Sequence, residues 1–195
     1  MQKFFRIFLA LLPFSVFSKM TVTPNSTASA LAQAITGSGV SVTSATLNCG
    51  ANASGTFTYA GSNLGMTGGI ILTTGTASDA ANAQSYFCSV QNSNNFSDPD
   101  LTTIDPTATN NVCLLEFDFV PICSNINITF VFGSEEYPTF VGSFNDGFGL
   151  FLTGPDPGGG TYNALNIGVI PGGTPVSINN VNAGTNSTYF VANYN

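Results

Sequence analysis

The chain has 195 residues, with 10 acidic side chains against 3 basic ones, 43% hydrophobic content and neither His nor Trp, enough for one domain with its own core. The basic residues are Lys3, Arg6 and Lys19, so nucleic-acid binding, a Walker-type phosphate loop and a basic membrane-surface helix are excluded. Without His there is no Ser-His or Cys-His nucleophile pair and no His-based zinc site, which leaves carboxylate, hydroxyl, amide and thiol chemistry.

Lys3 and Arg6 precede an apolar run from Ile7 to Phe17, and Val16-Phe17-Ser18 offers a cleavage site, so residues 1–18 read as a secretory signal. The run is too short to span a bilayer comfortably, which predicts a secreted or cell-surface chain of residues 19–195 with no stable membrane insertion after cleavage. That chain carries Lys19 against ten acids, a formal charge of −9. Only 7% of all residues are charged, against about a quarter in an average domain. The surface must therefore be built mostly from Asn, Thr, Ser and Gly.

Asn25-Ser26-Thr27 forms a capping cluster ahead of Ala28, Leu31, Ala32 and Ile35, with Gly37 as a stop, which predicts one short N-terminal helix. Beyond it, short apolar runs alternate with Gly, Asn, Pro and Ser clusters, the pattern of an antiparallel all-β domain. Strands are expected near 40–47, 55–60, 69–74, 114–120, 126–133, 147–153, 165–170, 176–178 and 188–194.

Leu115, Phe117 and Phe119 alternate with Glu116 and Asp118, and Ile126, Ile128, Phe130 and Phe132 form a second such face. Two Phe-rich faces need covering, so the expected architecture is an antiparallel β-sandwich of jelly-roll type. Residues 89–111 read as a long polar loop with Asp98 and Asp100 as candidate ligand contacts. The chain ends at Tyr194-Asn195 within a strand-like run, which predicts a domain truncated at its C-terminus.

Four cysteines, Cys49, Cys88, Cys113 and Cys123, allow up to two disulfides in an exported chain. A strand over 114–120 carries the chain about 20 Å from Cys113, and three further residues cannot bring Cys123 back. The remaining pairings join Cys49 or Cys88 to Cys113 or Cys123, with free buried thiols as the alternative.

Lys19 apart, no acid of residues 19–195 has a cationic side chain to pair with, so a buried one must be hydrogen-bonded, protonated or metal-bound. The dense group is Glu135, Glu136, Asn145 and Asp146, with Glu116 and Asp118 on a strand expected to pair nearby. Carboxylates with an amide carbonyl and no cations suit a hard ion, so these six residues are the candidate Ca²⁺ ligands. The competing reading places Glu116 and Asp118 in solvent and the rest in self-bonded turns. A carboxylate-pair glycoside hydrolase is compatible with the residue types. Against it, adjacent Glu residues in a strand face opposite ways and no Trp is present to stack a sugar.

TPNSTASALAQAITGSGVSV, NASGTFTYAGSNLGMTGGIILTTG, CLLEFDFVP, ITFVFGSEEYPTFVGSFNDGFGLFLTGP and NIGVIPGGTPVSINNVN occur in that order. Together they resemble the choice-of-anchor L domain of bacterial surface proteins. The resemblance implies an exported all-β module over 19–195, found in larger proteins that often use type IX secretion, with no established enzyme activity. Its acidic motifs fall on Glu116, Asp118, Glu135, Glu136, Asn145 and Asp146. It also implies a later part of the domain and a downstream anchor. The expected role is non-catalytic adhesion to, or recognition of, a surface glycan or protein ligand, with Ca²⁺ as a stabilising ion. A purely structural spacer is the alternative.

Overall fold

The computed structural model describes residues 20–81, 96–122 and 124–192. Residues 1–19, where the secretory signal was expected, residues 82–95 with Cys88 and the first part of the expected 89–111 loop, Cys123 and the last three residues lie outside that range. Among the described residues, ten strands form in chain order: β1 (Met20–Pro24), β2 (Val40–Asn48), β3 (Ser54–Tyr59), β4 (Gly68–Leu72), β5 (Leu114–Pro121), β6 (Gly147–Phe148), β7 (Phe151–Pro155), β8 (Thr161–Asn166), β9 (Val169–Ile170) and β10 (Thr174–Ser177). Two α-helices, α1 (Ala28–Ile35) and α2 (Leu101–Ile104), and 3₁₀ turns at Ala77–Ala81 and Ser187–Tyr189 complete the described elements. The strands assemble into antiparallel sheets ordered β1-β3-β4, β6-β10-β9, β2-β5 and β7-β8. This is the expected antiparallel all-β class, and no closed barrel forms among the described residues.

The helix α1 begins as its cap predicts, with the Thr27 hydroxyl accepting the Ala30 N–H at 3.2 Å. Leu31 and Ala32 are completely buried, because α1 packs on strands of both the β1-β3-β4 and β2-β5 sheets. Burial of Leu31 stabilises the fold by roughly 2 kcal/mol.

The pairing of β2 with β5 shows how the sequence sets a face. Val42 lies opposite Phe119, Ala45 opposite Phe117 and Leu47 opposite Leu115, with a register shift between Val42 and Ser44. The extra residue, Thr43, moves the inward set from even to odd positions, so Val40, Val42, Ala45 and Leu47 all turn away from solvent. Glu116 and Asp118 project from the exposed face.

Cys49 and Cys113 form a disulfide one position beyond the Asn48–Leu114 ladder pair. This agrees with one of the expected pairings and rules out Cys113–Cys123.

In the C-terminal part, Ile170, Val176 and Val181 form a buried cluster against which Phe130, Phe132, Phe148 and Phe190 pack. Phe130 stacks on Phe148 with centroids 4.7 Å apart.

Several strand expectations need correction. The run 126–133 joins no ladder, although Phe130 and Phe132 do reach the core; alternation selects the packing face but supplies no hydrogen-bonding partner. Of the expected strand 188–194, the described residues 188–192 form none and a 3₁₀ turn stands at Ser187–Tyr189. The single strand 147–153 divides into β6 and β7, and 165–170 into β8 and β9. At these breaks the Asn166 side-chain oxygen accepts the N–H groups of Leu150 at 3.3 Å and Gly168 at 2.9 Å, in place of ladder carbonyls. Gly168 is required there, since a Cβ would stand 2.9 Å from the Leu150 nitrogen. Strand β1 was not anticipated.

Candidate functional site

The site is built where α2, the loop 134–146 and the loop after β10 converge. Asp98 accepts the N–H groups of Asp100 at 2.9 Å and Leu101 at 3.1 Å, so its carboxylate caps α2. One turn later the chain enters Asp105-Pro106-Thr107, where an Asp favours a bond to the backbone two residues on. The Thr107 N–H and hydroxyl donate to one Asp105 oxygen at 2.7 and 2.8 Å. The Asn145 side-chain amide donates to the other. Asp105 is only 6% exposed. Burial pushes its pKa up, but the bonds from Thr107 and Asn145 outweigh that and hold it below the ordinary value.

Asn145 also accepts the Asn179 N–H at 3.0 Å, which ties the loop to the segment following β10. Asn179 in turn accepts the N–H of Gly142 at 2.7 Å. Gly142 has φ of +84°, a conformation that costs Gly nothing and most residues about 1 kcal/mol or more. Behind Asn179, the buried Asn182 donates to the carbonyls of Ile178 at 2.9 Å and Asn179 at 3.1 Å. Its oxygen accepts from Gly184 and Thr185, both at 2.9 Å. Side-chain amides, of which Asn182 is buried, tie this wall together without charge.

The opposite wall is charged. The Ser134 hydroxyl donates to Asp146 at 2.8 Å and accepts the Glu136 N–H at 3.0 Å. The Oε2 atom of Glu136 is buried and has no hydrogen-bond partner. Burial raises its pKa, reinforced by the negative charges of Asp146 and then Glu135. Asp105, Glu136, Asn145, Asp146 and Asn179 line an open cleft of about 620 Å³, with Phe144 also on its wall and 59% exposed.

The structure thus brings together Glu136, Asn145 and Asp146 of the expected set, while Glu135 is exposed beside Glu136 and does not line the cleft. Glu116 and Asp118 stand apart on the β2-β5 sheet, where Thr46 and Ser44 hydroxyls donate to them at 3.5 and 2.7 Å. Asp98 is occupied in capping α2. Asp100 lends its backbone carbonyl to the Thr103 hydroxyl at 2.6 Å. Among the described residues, no group of three or more Cys, Asp and Glu side chains is arranged to hold a metal ion by itself. Sequence reasoning missed Asp105, whose signal was the Asp-Pro-Thr turn, and Asn179, which carries no local signal.

An antiparallel β-domain with a cross-strand disulfide and an acidic cleft, and without cations after position 19, fits the class of proteins built for an oxidising environment. The chain belongs to the choice-of-anchor L domain family, whose profile matches residues 20–195. The family implies a cell-surface or exported protein with a module related to surface anchoring. No curated protein matches the chain, and neither does any solved structure. Among the described residues, no helix is long and apolar enough to cross a membrane.

Proposed function

We propose that the protein is a non-catalytic surface module that recognises a glycan or protein ligand at the acidic cleft, with Ca²⁺ seated beside Glu136 and Asp146. The observation that carries this reading is the buried Glu136 Oε2, which has no hydrogen-bond donor and sits beside a second carboxylate. Two repelling carboxylates in a chain with no cation after Lys19 are what a hard cation relieves. Ca²⁺ accepts six to eight oxygens, so waters or ligand hydroxyls would complete a site that has too few carboxylates to close its own shell. Such an open shell would let the ion bridge to a ligand, and the exposed Phe144 ring offers an apolar contact at the same mouth.

The signal segment at residues 1–18 supplies the export route in this reading. The test is retention of the protein on immobilised glycans and surface-protein fractions in Ca²⁺ and in EDTA. Retention that needs Ca²⁺ and falls in Asp146→Asn supports the reading. Retention indifferent to both, or release of product from the glycans, overturns it.

A further inference from the structure

The segment Ile126–Gly133 has strand-like alternation, yet among the described residues its backbone N–H and C=O groups enter no ladder and make no backbone hydrogen bond. Its two ends are covered unequally. Phe130 and Phe132 pack on the C-terminal core, whereas Ile126 and Ile128, in step with them in the alternating sequence, are 44% and 45% exposed. Val131 on the other side is 55% exposed. An open edge of this kind is completed by an added strand, since only another backbone offers matching donors and acceptors.

We infer that this edge pairs with the same edge of a second copy, antiparallel, about a two-fold axis through Thr129. Residues directly opposite each other in an antiparallel pair share one side of the sheet. With Thr129 opposite itself, Ile128 falls opposite the partner's Phe130 and Ile126 opposite the partner's Phe132. The overhanging isoleucines of each copy thereby cover the half-buried phenylalanines of the other, and Asn127 meets the partner's Val131. The pairing is isologous, so every contact occurs twice.

Electrostatics selects this site on an acidic chain. From Phe119 to Ser134 no residue is charged, and this register sets Asp118 and Glu135 opposite no carboxylate. Repulsion between two exported chains of net charge −9 then acts only at longer range, where salt screens it.

The experiment is sedimentation equilibrium of the purified protein at low and high salt, alongside Thr129→Lys and Val131→Lys. The wild-type protein is expected to dimerise, more tightly at high salt. Thr129→Lys, which sets like charges face to face, is expected to weaken the dimer at least about tenfold while leaving the thermal melt of the monomer unchanged. Val131→Lys serves as a second exposed edge position. Thr129→Cys is then oxidised mildly beside an Asn127→Cys control. Opposed Cα atoms about 5 Å apart permit a disulfide, so a dimeric cross-link is expected at position 129 and not at 127. A protein monomeric at all salt concentrations, a dimer that survives both lysine variants, or cross-linking at 127 in preference to 129 would each overturn the inference.

Discussion

Cys49 and Cys113 are bonded at the first position past the end of the β2-β5 ladder, so their disulfide closes the two-stranded sheet as an additional covalent rung. The bridge spans a sequence separation of 64 residues, which includes β3 and β4. Constraining an unfolded loop of that size stabilises the native state by about 4 kcal/mol in the chain-entropy account. The double variant Cys49→Ser/Cys113→Ser is expected to lose 2–5 kcal/mol of that order, read as a lower urea midpoint with an unchanged far-ultraviolet spectrum. A loss below about 1 kcal/mol would mean that the sheet holds its register without the bridge.

Leu31 is the second structural dependency. It is fully buried where α1 meets strands of two sheets, so truncation leaves a cavity bordered by elements that cannot easily collapse. Leu31→Ala is expected to cost about 2–5 kcal/mol. Ile35, on the same helix but 38% exposed, should lose under about 1.5 kcal/mol on the same change. Equal losses at the two positions, measured by urea unfolding, would contradict the packing described for α1.

These elements differ in how plainly the sequence announces them. The helix was legible because cap, apolar spacing and stop all lie within a dozen residues. β2 and β5 were legible through their alternation, but the bulge at Thr43 was not, since only the partner strand reveals that one residue is extra. The run 126–133 carried the same signal as β5 and forms no ladder, because side-chain alternation reports a packing face whereas a strand also needs a neighbour. β1 was hidden for the converse reason: Met20–Pro24 has little pattern of its own and pairs with a strand more than 30 residues away. In the site, the local density of Glu135, Glu136, Asn145 and Asp146 was visible. Asp105 was not singled out, because its bond to Asn145 joins residues 40 apart.

Asp105 anchors that long-range junction, and its depressed pKa fixes the sign of its pH effect. Its folded value lies below the ordinary 3.8, so its contribution is complete above that pH and is lost as pH falls through the folded value. Asp105→Ala removes the charged acceptor that Thr107 and Asn145 share and is expected to cost about 1–3 kcal/mol at pH 7, the range for hydrogen bonds to charged groups. The variant should also unfold less steeply than wild type on acidification below pH 3.8. An acid limb unchanged in the variant would assign the pH sensitivity to other carboxylates.

Glu136 has the opposite sign. Its folded pKa lies above the ordinary 4.5, so the folded state holds the proton more tightly, and stability falls as pH rises from that value through the raised one. Above the raised value and in EDTA the penalty of the charged, unpartnered carboxylate is present, and Glu136→Gln is expected to melt higher than wild type there, with a flatter profile as pH rises above 4.5. Calcium should reverse the order. An ion bound only to the folded state at 100 times its Kd adds about 2.7 kcal/mol, a shift of several degrees, and the variant lacking one ligand should gain far less. Differential scanning calorimetry of both proteins in EDTA and in millimolar Ca²⁺ separates the terms. If Ca²⁺ moves both melts equally, the ion binds away from Glu136; if Glu136→Gln melts lower in EDTA, its carboxylate has a stabilising partner and the electrostatic account of the cleft is wrong.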